Sequence, residues 1–143
     1  MYDELYNAIM KVDFEQAEKY FMKMSNDEQR DIITQLVYDT YSMIIYAFID
    51  YINTKHESVL YHEMAFEMLA NALCHIEGSY QMAYLHGQRL LELVPDSVEY
   101  LEWILSLYDV KVIDKEKALI IIRKIMEVDS DNINAKRILE KMH

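Results

Sequence analysis

Glycine, proline and cysteine are almost missing from this chain of 143 residues: Gly occurs twice (Gly78, Gly87), Pro once (Pro95) and Cys once (Cys74). These are the residues that punctuate loops and tight turns, so long helices joined by short connections fit best. One cysteine cannot form an internal disulfide, and Tyr2 to Met10 carries no basic segment leading into an apolar stretch with a small-residue cleavage site. Both features point to a reducing, cytoplasmic location. Long apolar runs are lacking too. The densest, Met43 to Ile49, is bounded by Ser42 and Asp50, well short of the roughly 20 residues that span a bilayer. It reads as core, and no membrane is expected as a partner.

Basic residues are outnumbered, 14 against 25 acids, for a net charge of −11. Nucleic acid and anionic lipid repel such a surface, so neither is expected to bind. The imbalance is uneven. Residues 1–110 hold 19 acids and 6 bases (−13), whereas 111–143 hold 6 acids and 8 bases (+2).

What the chain does have is apolar content, 52% of residues, in about one domain's length. Apolar positions recur at three and four residues throughout and nowhere alternate long enough to argue a strand. The expectation is an all-α single domain over 1–143 with seven to eight helices, successive ones antiparallel because the connections are short. Short helices are expected over about Tyr2 to Lys11 and Phe14 to Met24. Ser25-Asn26-Asp27-Glu28 offers capping side chains to the next helix start. From Asp27 to about Asn53 follows one long helix or two abutting ones, apolar around most of the circumference and therefore central. A helix from Ser58 to Glu77 stops at Gly78, which can take the left-handed conformation that ends helices. The next, Ser79 to Val94, stops at Pro95, which disfavours helix in the residue before it. Ser97 then caps a helix from Val98 to about Asp109, and two more cover Lys115 to Val128 and Ile133 to Met142.

Segments 35 residues apart resemble each other: Gln81 to Ser97 aligns with Glu116 to Asn132, with Ala83 on Ala118, Leu90 on Ile125, Glu92 on Glu127 and Asp96 on Asp131. The match continues with Val98 on Ile133, Trp103 on Ile138 and Ile104 on Leu139, and Ala17 and Phe21 give a weaker echo near the N-terminus. Over about residues 79–142 the chain resembles the tetratricopeptide repeat family, whose unit is two antiparallel helices of about 34 residues. Ala83 and Ala118 match its small position, Leu90 to Ser97 looks like its end-of-repeat segment, and Leu101, Ile104 and Tyr108 match first-helix core positions. Leu105, Gly87 and Ser130 depart from the pattern. The resemblance implies a short stack of helix pairs, a TPR-like α-solenoid or bundle, with 57–143 as repeats and 1–56 as a divergent N-terminal half. It also implies a concave face built from first helices, where such proteins bind extended segments or docking domains.

Three helix faces carry carboxylates. Glu99, Glu102, Ser106 and Asp109 share one stripe of the helix from Val98, opposite Leu101, Ile104, Leu105 and Tyr108. Glu63, Glu67, Asn71 and His75 form a second stripe, and Asp39, Ser42, Tyr46, Asp50 and Asn53 a third. Lys is absent from all three, whereas solvated helix faces usually mix Lys with Glu. Together they predict an acidic groove suited to a basic protein partner. The plainer account is that any amphipathic helix in an acidic protein fills its polar face with Asp and Glu. Twelve tyrosines, with Tyr38, Tyr41, Tyr46, Tyr51 and Tyr61 around the central element, suit an interface or the edge of a core. Trp103 falls among core positions.

Catalytic and metal-binding chemistry finds little support. His56, His62, His75, His86 and His143 show no zinc-protease spacing, and the only Glu-x-x-His, Glu140 to His143, is at the C-terminus. Adjacent Cys74 and His75 diverge by about 100° on a helix, so a buried thiol beside a surface imidazole is expected rather than a nucleophile and its base. No Gly-rich loop cradles phosphate, and neither a cofactor nor a metal is expected. The function expected is a non-catalytic protein-binding module. The sharpest form of it is an acidic inhibitor or immunity protein that neutralises a basic partner such as a bacterial toxin. An adaptor or scaffold that binds a peptide segment, or self-associates through the Tyr-rich N-terminal half, is the other reading.

Overall fold

A computed structural model describes residues 1–142; His143, and with it the Glu140 to His143 spacing, lies outside the described residues. The described chain is all-helical, with nine α-helices rather than seven to eight, and no described helix is long and apolar enough to cross a membrane. It divides into two compact units, Met1–Ser79 and Tyr80–His143.

The first unit holds α1 (Tyr2–Met10), α2 (Phe14–Phe21), α3 (Asn26–Thr40), α4 (Met43–His56) and α5 (Val59–Ala70). α1 packs on α2, and α4 packs on α5. Ser25 Oγ accepts from the Glu28 amide while the Glu28 carboxylate accepts from the Ser25 amide, completing the capping box that the sequence signals. Phe21 and Phe48 are fully buried at the centre, with rings 5.4 Å apart and nearly perpendicular. Burying two such aromatics contributes on the order of 2 to 3 kcal/mol each. Beside them Gln29, only 2% exposed, donates to the Phe21 carbonyl and accepts from the Tyr61 hydroxyl, so its burial leaves no amide atom unpaired.

The Asp27 to Asn53 element takes the second of its two expected forms, a pair of abutting helices, because Tyr41 turns left-handed (φ 48°) and Ser42 caps a new start by accepting from the Ile44 amide. Thr40 Oγ1 holds the break, donating to the Leu36 carbonyl and accepting from the Ser42 amide. The helix expected to run to Glu77 ends at Ala70, and a series of tight turns follows, with Leu73, Cys74 and Ile76 amides bonded to Met68, Asn71 and Leu73 carbonyls.

The second unit contains the rest of α6 (Ser79–Leu93), then α7 (Val98–Leu105), α8 (Lys115–Val128) and α9 (Ile133–Lys141). α6 and α8 end 35 residues apart, at Leu93 and Val128, and α7 and α9 begin 35 apart, at Val98 and Ile133. Their caps, Ser97 and Asn132, keep the same offset. α7 is shorter than expected: the chain tightens into a 3-10 turn at Ser106–Tyr108 before Asp109. Leu101, Ile104, Ala118, Ile121, Ile125, Ala135 and Ile138 form its core.

A chain with two glycines must end helices on other residues. Val12, Asp96 and Lys111, like Tyr41, have φ between 48° and 66°. After α1 the Val12 amide donates to the Ile9 carbonyl and the Asp13 amide to the Ala8 carbonyl, the paired bonds of a Schellman ending, whose left-handed position glycine usually fills. A β-branched residue is costly there, and Val12 is 62% exposed, so little packing offsets the cost. Val12→Gly is expected to raise the free energy of unfolding in urea by about 1 kcal/mol, with Val12→Ala gaining less.

Candidate functional site

The stripe on α7 faces solvent in part only. Leu101, Ile104 and Leu105 are buried on the inner side while Glu99 is exposed, as the spacing implies. Glu102 and Asp109 are engaged by residues at the cap and along α9. Both carboxylate oxygens of Glu102 accept from the side-chain amides of Asn132 and Asn134. Asp109 meets Lys141 at 2.8 Å and Arg137 at 3.3 Å. The Lys141 hydrogen bond, aided by the Arg137 charge, holds its carboxyl below the usual range. Ser106 Oγ donates to the Trp103 carbonyl at 2.6 Å, and Trp103 is half-buried, edge-on to Tyr100 at 5.4 Å. The cationic groups missing from the stripe itself, Arg137 and Lys141, are supplied by another helix.

On α5, Glu63 and Glu67 do share a face, and Arg30 of α3 clasps both, at 2.8 and 3.4 Å. Asn71 follows, its side-chain amide donating to the Glu67 carbonyl. His75 leaves the stripe because α5 ends at Ala70; its ring instead lies 6.3 Å from that of Tyr41. The third stripe is divided by the break at Tyr41. Asp39, at the end of α3, accepts from the Tyr2 hydroxyl at 2.6 Å, and Asp50 is exposed on α4. Tyr46 and Asn53 are buried at 7% exposure each, and neither side-chain amide atom of Asn53 has a hydrogen-bond partner among the described residues. Desolvation, and then the Asp50 charge, push the Tyr46 hydroxyl up to about 12. Within the first unit, the end of α5 at Ala70 and the break at Tyr41 thus divide the second and third stripes.

Between α3 and α5 lies a cleft of about 180 Å³ lined by Ile33, Thr34, Val37, Tyr38, Met64, Glu67, Met68 and Asn71. Its floor is apolar, its rim polar. Tyr38 and Tyr41 stand near it with rings edge-to-face at 6.0 Å, exposed by 47% and 53%, whereas Tyr46 and Tyr61 are core. Of the five clustered tyrosines these two are the exposed ones; Tyr51 is half-buried, its hydroxyl donating to Glu18. Cys74 is exposed, not buried as expected, since it lies in the turns after α5 rather than inside a helix. Among the described residues no three His, Cys, Asp or Glu side chains are grouped to hold a metal.

Sequence spacing missed Glu18, because its partners lie 33 to 38 residues away. This α2 carboxylate, 17% exposed, takes hydrogen bonds from His56 at 2.6 Å, Tyr51 at 3.0 Å and Lys55 at 3.1 Å, all on α4. The His56 bond chiefly, with those of Lys55 and Tyr51, holds its pKa down at about 2 from an ordinary 4.5. A carboxyl with a lower pKa when folded binds fewer protons in the native state than in the unfolded state. Its stabilisation is therefore complete above about pH 4.5 and is lost as pH falls toward about 2. Urea unfolding at a series of pH values is expected to show that loss in the parent chain. In Glu18→Gln the stability should be lower at neutral pH and should decline less over the same interval.

No family model matches the chain, and neither a curated protein nor a solved structure matches it.

Proposed function

We propose that the chain is a non-catalytic protein-binding module of helix pairs, and that the α3–α5 face of the first unit takes up an apolar side chain from a basic partner. One observation carries the reading: two exposed tyrosines, Tyr38 and Tyr41, stand by a cleft floored by Met64 and Met68. Tyrosine loses little conformational entropy on docking, and methionine adapts to the shape of what it meets. The surrounding charge supports a cationic partner. The first unit carries 14 acids and 5 bases, net −9, while residues 80–143 carry 11 and 9, net −2. An excess of that size speeds encounter with a positive surface. The 35-residue repetition of helix ends supports a stack of repeated pairs in the second unit, resembling a tetratricopeptide array. In its narrowest form the proposal is an inhibitor of the immunity-protein kind, capturing a basic toxin.

The α7 stripe moves to a secondary role in this reading, since Glu102 is hydrogen-bonded by the Asn132 and Asn134 amides and Asp109 is ion-paired with Arg137 and Lys141. The test is capture of partners from the native host at low salt, with the parent chain and with Tyr38→Ala/Tyr41→Ala side by side. Expected is one stoichiometric basic protein, released by salt and lost with the double variant. Each tyrosine should be worth about 1 to 2 kcal/mol of binding. An unchanged set of captured proteins from the double variant would sink the α3–α5 reading.

A further inference from the structure

The 35-residue offset places three residues of the second unit in pairs: Tyr84 with Leu119, Leu91 with Met126, and Ile104 with Leu139. Ile104 belongs to the core cluster that α7, α8 and α9 build, and Tyr84 and Leu91 pack against it. Lys117 of α8 also lies 4.9 Å over the Tyr84 ring and donates to its hydroxyl. Tyr84 and Ile104 thus meet α8. Their counterparts Leu119 and Leu139, with Met126, line an open apolar cleft of about 470 Å³, together with Ile122, Arg123 and Glu127. Met126 and Leu139 pack in part against the same core, but their outer sides remain on this cleft.

The charges around the cleft point to a particular occupant. Arg123 and Glu127 are both exposed, stand one turn apart on α8, and make no ion pair with each other or with any described residue. Successive positions four apart turn only about 40° around a helix, so the two lie on one flank of the Leu119–Ile122–Met126 ridge. In a two-fold antiparallel pairing, equal flanks face each other. If the axis passes close to Met126, the two Met126 side chains meet, and each Arg123 lies beside the partner's Glu127. One pair of residues then makes the same salt bridge twice. Segment 111–143, at +2, also lacks the repulsion that −13 imposes on the rest of the chain.

We propose that the α8–α9 face is a self-association surface on which a second copy of this chain docks, α8 antiparallel to α8, with Arg123 of each copy paired to the partner's Glu127. The inference uses residues of the second unit only and does not rest on the α3–α5 reading. Sedimentation equilibrium from micromolar to near-millimolar chain is expected to show a monomer–dimer exchange. Arg123→Glu and Glu127→Arg, both on the exposed surface and both retaining the parent's helical circular dichroism, should each weaken dimerisation about tenfold by opposing like charges twice. An equimolar mixture of these two variants should associate as tightly as the parent, since both reciprocal pairs are restored. The doubly exchanged chain, with the parent's net charge, should do so alone. A chain monomeric at every concentration overturns the proposal. So does a dimer indifferent to both single exchanges, or a mixture that associates no better than its components.

Discussion

Every helix in this chain is short, between 8 and 15 residues, and helices of that length are marginal in water because nucleation fixes several residues for one hydrogen bond. None can persist unless its apolar stripe is buried against another, so the shared core is the constraint on which the rest of the structure depends. The chain meets it with economy at the helix ends. Asp13, Ser25, Ser42, Ser58, Ser97, Asp114 and Asn132 each supply a side-chain oxygen to a free amide at a helix start. Each such cap contributes on the order of 1 kcal/mol. At the other ends the shortage of glycine forces Val12, Tyr41, Asp96 and Lys111 into left-handed backbone. Core burial has to exceed that strain, which keeps the connections short without a flexible residue in them.

The features legible in the sequence are those with a local signature. The all-helical class follows from the apolar period, the α3 start from Ser25 and Glu28, the α6 end from residues next to Pro95, and the α7 start from Ser97. The 35-residue offset located the ends of α6 and α8 and the starts of α7 and α9 without any contact information. The break at Tyr41 has no glycine or proline to mark it; its only trace is Ser42 standing before an apolar run, a cap signal indistinguishable in sequence from a serine inside a helix. The end of α5 at Ala70 is similarly silent. Both boundaries bear on the candidate site, where they separate His75 from Glu67 and Asp39 from Asp50.

Spacing correctly put Glu99 with Glu102 and Glu63 with Glu67 on common faces. It could not show what lies across from them, because Asn132, Asn134, Arg137 and Lys141 come from 28 to 32 residues downstream, and Arg30 from 33 to 37 upstream. Period analysis sees one helix at a time, while electrostatics is settled between helices. The same limit hid Glu18, whose three partners on α4 make it the most strongly held carboxylate of the first unit.

A formal charge of −11 is therefore a poor guide to where a partner would be attracted. Carboxylates such as Glu18, Glu102 and Asp109 already spend their hydrogen-bonding capacity within the chain, and desolvating such a pair at an interface gains little. The long-range field still reflects the sum, and that sum is concentrated in Met1–Ser79. Steering and contact thus separate in the proposed reading: net charge would draw a cationic surface toward the first unit, while close packing would fall to groups that are reachable and not already committed. Tyr38 and Tyr41 meet that condition through exposed ring area, which is why the proposal places recognition at the aromatic edge of the α3–α5 cleft rather than on the acidic stripes.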